Sequence, residues 1–140
     1  MSSNGDTLTR SIGLFVLRVG MAGLLLCGHG WDKVTHAAAR AKSFPDPLHI
    51  GSAASFGLVV FAETACALFV ALGLFTRAAL VPIILFLCVA FFIYLAHQPF
   101  GDKELAIVYL VPFLALLFTG PGKFALDAWI RVRFGKKGGD

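Results

Sequence analysis

Seven side chains that can carry charge or exchange protons stand in or beside otherwise apolar stretches: Arg18, His29, Lys33, Glu63, Tyr94, His97 and Glu104. Arg18 interrupts an apolar run over residues 12–28, and Glu63 interrupts another over 52–75. A charged side chain at mid-bilayer costs about 2.5–3.5 kcal/mol on insertion scales, so it turns toward protein or a wet cavity. Arg18 is the cation at similar depth to Glu63, and a contact between the two is expected. At about 100° per residue, Ala22, Leu25, His29 and Lys33 follow Arg18 on one helix face. Gly13, Gly20, Gly23 and Cys27 fall opposite, where small side chains permit close helix contact. Ala90, Tyr94 and His97 share a face of the third apolar run, and Glu104 opens the fourth. The expectation is a polar pocket reached from outside, with Arg18 and Glu63 at its floor. Its donors and acceptors would hold a polar head group and pass protons to it. Two histidines alone do not define a metal site, and no metal is expected.

Plainer roles compete for each residue. Arg18 and Glu63 would serve as an ion pair that only fixes helix packing. His29 and His97 would be interfacial groups, and Glu104 a carboxylate favoured by its helix dipole. Cys66 and Cys88 would be small packing residues. Asp127 would pair with Arg131 one helical turn later.

Four apolar segments must position these residues, over 12–28, 52–75, 78–96 and 105–119. A spanning helix needs about 17–25 apolar residues. The last segment covers only about 22 Å at 1.5 Å per residue and must gain length at its ends. Pro82 lies near the start of the third helix, where it is tolerated, and Pro112 should kink the fourth. Arg18 and the lack of a small-residue cleavage site argue against a cleaved signal peptide over the first segment.

Composition supports this frame. Of the 140 residues, 58% are hydrophobic and 14% charged, and mean hydropathy is +0.82. A soluble domain carries about 25% charged residues, and a chain this small cannot bury so much apolar surface within itself. A soluble enzyme, a disordered chain and a nucleic-acid-binding domain are all excluded. The basic residues gather at helix ends in the manner of membrane topology, without a basic groove. The expected fold is all-α: a polytopic four-transmembrane-helix bundle with an interfacial segment after the first helix.

The connections set the topology. The tight turn Gly73-Leu74-Phe75-Thr76-Arg77 makes the second and third helices antiparallel neighbours. The long first connection is Ala-rich over 32–43, then held extended by Pro45 and Pro47, so that it straps the outer mouth. Gly120-Pro121-Gly122 breaks the chain before an amphipathic helix over 123–134. One side carries Arg10, Arg77, Lys123, Arg131, Arg133, Lys136 and Lys137; the other carries Lys33, Arg40, Lys42 and Lys103. This bias places both termini in the cytoplasm. The organisation reads as a cytoplasmic tail over 1–11, a membrane domain over 12–122 and an amphipathic cytoplasmic tail over 123–140.

In order along residues 10–130 the chain carries Arg18 with Gly20, Ala22 and Gly23, then Gly28-His29-Gly30-x-x-Lys33. Glu63 follows, opening a stretch that ends Leu72-Gly73-Leu74-Phe75-Thr76-Arg77. Glu104 precedes Val108-Tyr109 by four residues, and Gly120-Pro121-Gly122-x-x-x-Leu126-Asp127 closes the series. This ordered set resembles the DoxX family of small bacterial membrane proteins. The resemblance implies four helices in the bacterial inner membrane. It also implies a link to quinone chemistry, through relatives tied to a quinol oxidase and to thiosulfate:quinone oxidoreductase. Quinone is then the expected cofactor class. The alternative is a non-catalytic anchor or assembly partner for soluble redox or stress proteins. The lipid bilayer is the expected environment, with a protein partner or a second copy as further contacts.

Overall fold

The computed structural model describes residues 3–134, and every regular element among them is helical. Helix α1 (Ser3–Leu25) runs through a π-helical turn (Leu26–Gly30) into α2 (Trp31–Thr35). A short α3 (Ala37–Arg40) follows. The second rod comprises α4 (Ser52–Phe61), a π turn (Ala62–Cys66) and α5 (Ala67–Leu72). The third comprises α6 (Thr76–Val89) and a π turn (Ala90–Tyr94). Then come α7 (Phe100–Thr119) and α8 (Leu126–Phe134).

Among the described residues, three helices are long and apolar enough to cross a membrane: Thr7–Thr35, Ser52–Leu72 and Thr76–Tyr94. Helical geometry satisfies every internal backbone donor and acceptor, as a lipid solvent demands. α7 carries Asp102, Lys103 and Glu104 in its first turns and no charge thereafter. The helix continues through Pro112, and α6 through Pro82.

Helical periodicity builds the core. Ala22 and Leu25 of α1 meet Ala67 and Val70 of α5, and Leu80, Ile83 and Leu87 of α6 meet Tyr109, Phe113 and Leu116 of α7. Helical spacing puts Leu58, Phe61, Leu68, Phe69 and Leu72 together on the face away from Glu63, and all five are exposed, an apolar surface suited to lipid.

Three sequence expectations change. The first helix starts at Ser3, not at 12. Ser11 is buried and donates to the Thr7 carbonyl, and the helix runs unbroken from Ser3 through the segment before 12. The glycine face of α1 is open, with nothing within 4 Å of a Cβ built on Gly13, Gly20 or Gly23, and Cys27 is exposed. The Arg18 face is the side that packs. At the other end of the chain, Asp127 does not pair with Arg131. Its carboxylate accepts from Phe75 N at 2.8 Å and from Thr76 N at 3.0 Å, capping α6 from 51 residues away. Its own N–H donates to the Gly73 carbonyl at 2.9 Å. The part of the expected cytoplasmic tail beyond residue 134 lies outside the described residues.

Candidate functional site

The site forms where the first and second rods touch. Gly30 ends the first π turn, and a Cβ there would meet the Glu63 carbonyl oxygen at 2.5 Å and Thr64 Cγ2 at 2.8 Å. Glycine therefore lets the two backbones meet. That contact brings Lys33, on the turn after Gly30, against Glu63: Nζ donates to Oε2 at 2.5 Å. The Glu63 side chain is 3% exposed and that of Lys33 15%, so the pair is shielded from water. Breaking such a pair on one side costs about 3–5 kcal/mol, because it strands a buried charge.

π turns are rare in helices and frequent at functional sites. Here each of the three carries one polar residue of the site: His29, Glu63 and Tyr94. His29 packs edge-on against the Tyr109 ring, with centroids 5.8 Å apart. Tyr109 in turn stacks on Phe113 of the core.

A cleft of about 600 Å³ opens from this cluster. His29, Lys33 and Glu63 mark its polar end, and Tyr94 stands on its wall. Val59 from the second rod and Pro82, Phe86 and Val89 from the third line it with apolar surface. Leu58, Phe61 and Leu85 line it too and are 58%, 50% and 61% exposed, so the mouth faces sideways, on the same side as the lipid-facing residues. Phe44, Pro45, Pro47, Leu48 and Ile50 of the first connection complete the lining.

Asp46 holds that strap in shape. One carboxylate oxygen accepts from the Ser55 hydroxyl at 2.7 Å and from Ile50 N at 3.0 Å; the other accepts from Gly51 N at 2.7 Å. These donors, the Ser55 hydroxyl foremost, hold the Asp46 carboxyl below the usual carboxylate range. Phe44 packs edge-on to Phe56 beside it.

Of the residues expected to converge, His29, Lys33, Glu63 and Tyr94 do. The expected contact of Arg18 with Glu63 is absent. Arg18 is buried at 1% exposure, but it donates to the carbonyls of Phe124 at 2.9 Å and Pro121 at 3.3 Å. Antiparallel geometry is the reason. Gly30 lies level with Glu63, so Arg18, 12 residues earlier, lies level with the turn 10 residues beyond Glu63, at Gly73. His97 and Glu104 also lie apart from the cluster. The third rod ends at Tyr94, which leaves His97 in the following turn, and Glu104 is exposed on α7.

The strap was expected across the mouth; sequence reasoning missed Asp46, which holds the strap in shape, and Tyr109, which packs against His29. A signal for Asp46 existed: an aspartate between two prolines, with Gly51 close behind, favours a side-chain-to-backbone turn.

The family model described as DoxX matches residues 13–97, more than half of the chain. That interval contains Arg18, His29, Lys33, Glu63 and Tyr94. No curated protein and no solved structure matches the chain.

Proposed function

Because this chain belongs to the DoxX family, we propose that it is an integral membrane protein that binds a quinone in the lateral cleft and serves quinone-linked redox chemistry. The observation that carries this reading is the Lys33–Glu63 pair at the inner end of an apolar cleft whose mouth faces sideways.

The residues fit the group. A volume of about 600 Å³ suits a quinone ring and its first isoprenoid unit, since small-molecule sites run about 300–1,000 Å³. Lys33 gives Glu63 one of its three N–H bonds and keeps two for a carbonyl oxygen. Glu63 accepts protons, and His29 stands next to it on the first rod. Leu58, Phe86 and Val89 supply the apolar walls that a ring and tail require. A bound quinone supplies two-electron, two-proton acceptor chemistry. The chain's part is to orient one carbonyl at Lys33, exclude water and keep a titratable carboxylate beside it. A partner of thiosulfate:quinone oxidoreductase type would deliver two electrons to the quinone, and one of quinol oxidase type would withdraw them from the quinol.

The same reading has four passes in the bacterial inner membrane with both termini cytoplasmic. α7 has 20 residues and so extends about 30 Å; its apolar part after Glu104 covers about 22 Å, which local thinning of the bilayer would meet. Its charged first turn would sit at the outer surface. The excess of Lys and Arg at the Arg77 and Lys123 end supports the orientation.

Extraction of protein purified from its native membranes tests the proposal. Near-stoichiometric quinone, depleted in a Leu85→Trp variant that fills the mouth, is the expected outcome. Quinone no more abundant than in the surrounding lipid would overturn it.

A further inference from the structure

We propose a second site, at the opposite end of the helices from the cleft, that binds the phosphate head group of an anionic phospholipid. It rests on Arg18, which the cleft does not use.

Arg18 carries a buried positive charge with no carboxylate in ion-pair contact among the described residues. Its two hydrogen bonds go to neutral carbonyls, those of Pro121 and Phe124, and its guanidinium lies over the Phe15 ring. Its Nε–H is buried and has no acceptor among the described residues. Asp127 lies near enough to attract Arg18, but its oxygens are committed to the α6 cap and make no ion pair with it. A buried cation with an unused donor is costly to keep, so an anion nearby is strongly favoured.

The surroundings match one kind of anion. Arg18 borders a crevice of about 560 Å³ whose wall includes Lys123, Phe15, Leu72, Phe124 and Trp129. Lys123 is exposed at its edge and adds a second positive charge. Phe124, Leu72 and Trp129 are 49%, 45% and 56% exposed, which is apolar surface for an acyl chain. Tryptophan and lysine side by side are the residues that sit at head-group depth. A free phosphate uses the two charges and leaves the apolar wall bare. A phosphodiester with attached acyl chains uses both.

Thermal unfolding of the full chain in neutral detergent tests this, with phosphatidylglycerol, phosphatidylcholine of the same chains, or inorganic phosphate added. The expected result is a rise in Tm with phosphatidylglycerol that the other two additives do not reproduce. Lys123→Gln should lose most of that rise. Arg131→Gln, on an exposed α8 position outside the crevice, should keep it. Equal rises with both lipids would overturn the proposal, as would a rise matched by inorganic phosphate. Equal loss in the α8 variant would also overturn it, because diffuse surface charge then accounts for the effect.

Discussion

Gly30 and Glu63 pack backbone against backbone, and the carbonyl oxygen of Glu63 occupies the space that a side chain on Gly30 would take. The Lys33–Glu63 pair follows from this contact, since Lys33 lies one turn beyond Gly30. Gly30→Ala should therefore destabilise the protein by about 1–3 kcal/mol, the range for overpacking a tight core. Gly28→Ala, with nothing within 4 Å of its Cβ, should change stability little. Equal Tm values for the two variants would show that the close approach is not needed.

The ion pair predicts a coupling. Lys33→Met alone should cost about 3–5 kcal/mol by stranding Glu63 in the core. Adding Glu63→Leu should recover much of that loss in the same unfolding measurement. Arg18 makes no contact with Glu63, so exchanging those two residues should rescue neither single change. Additive losses at Lys33 and Glu63 would remove the pair from the account.

Much of the second rod was legible in the sequence, because Glu63 marks which of its two apolar faces turns inward. Phe56, Glu63, Cys66, Ala67 and Val70 are buried and Leu58, Phe61, Leu68 and Phe69 exposed, as the pattern predicts. The partner of Glu63 was not legible. Depth was judged from an apolar run over 12–28, but the rod continues to Thr35 and Glu63 lies level with Gly30, 12 residues beyond Arg18. The π turns add a second difficulty. Each inserts a residue into the helical repeat, so face arithmetic taken across Leu26–Gly30 or Ala90–Tyr94 drifts. The cap from Asp127 was also hidden, because no local spacing links residue 127 to Thr76.

That cap gives a prediction of its own. Asp127→Ala removes acceptors from Phe75 N and Thr76 N and should cost about 0.5–2 kcal/mol, the range for a lost helix N-cap. Arg131→Ala should stay within about 0.5 kcal/mol, as for most surface changes. Equal losses would restore the local Asp127–Arg131 pair as the role of this carboxylate.

The strap carries a pH dependence of known sign. The Asp46 carboxyl lies below the usual carboxylate range in the folded chain, so its contribution to strap stability is present above the unfolded value. It is lost as pH falls through the lower folded value. Ser55→Ala removes the leading cause and should move the Asp46 titration upward. Carboxyl carbon chemical shifts followed against pH check this; an unchanged midpoint in Ser55→Ala would contradict it.

The central claim is that a quinone ring lies in the lateral cleft with a carbonyl at Lys33, and equilibrium binding of a short-tailed quinone to the protein in lipid nanodiscs measures it most directly. The account predicts saturable binding. Leu85→Trp should weaken it at the mouth, and Lys33→Met with Glu63→Leu at the polar end. Each should weaken it at least about tenfold, or about 1.4 kcal/mol. Lys123→Gln, at the far crevice, should leave it unchanged. Non-saturable partitioning into the disc lipid, or one affinity shared by all the variants, would contradict the claim.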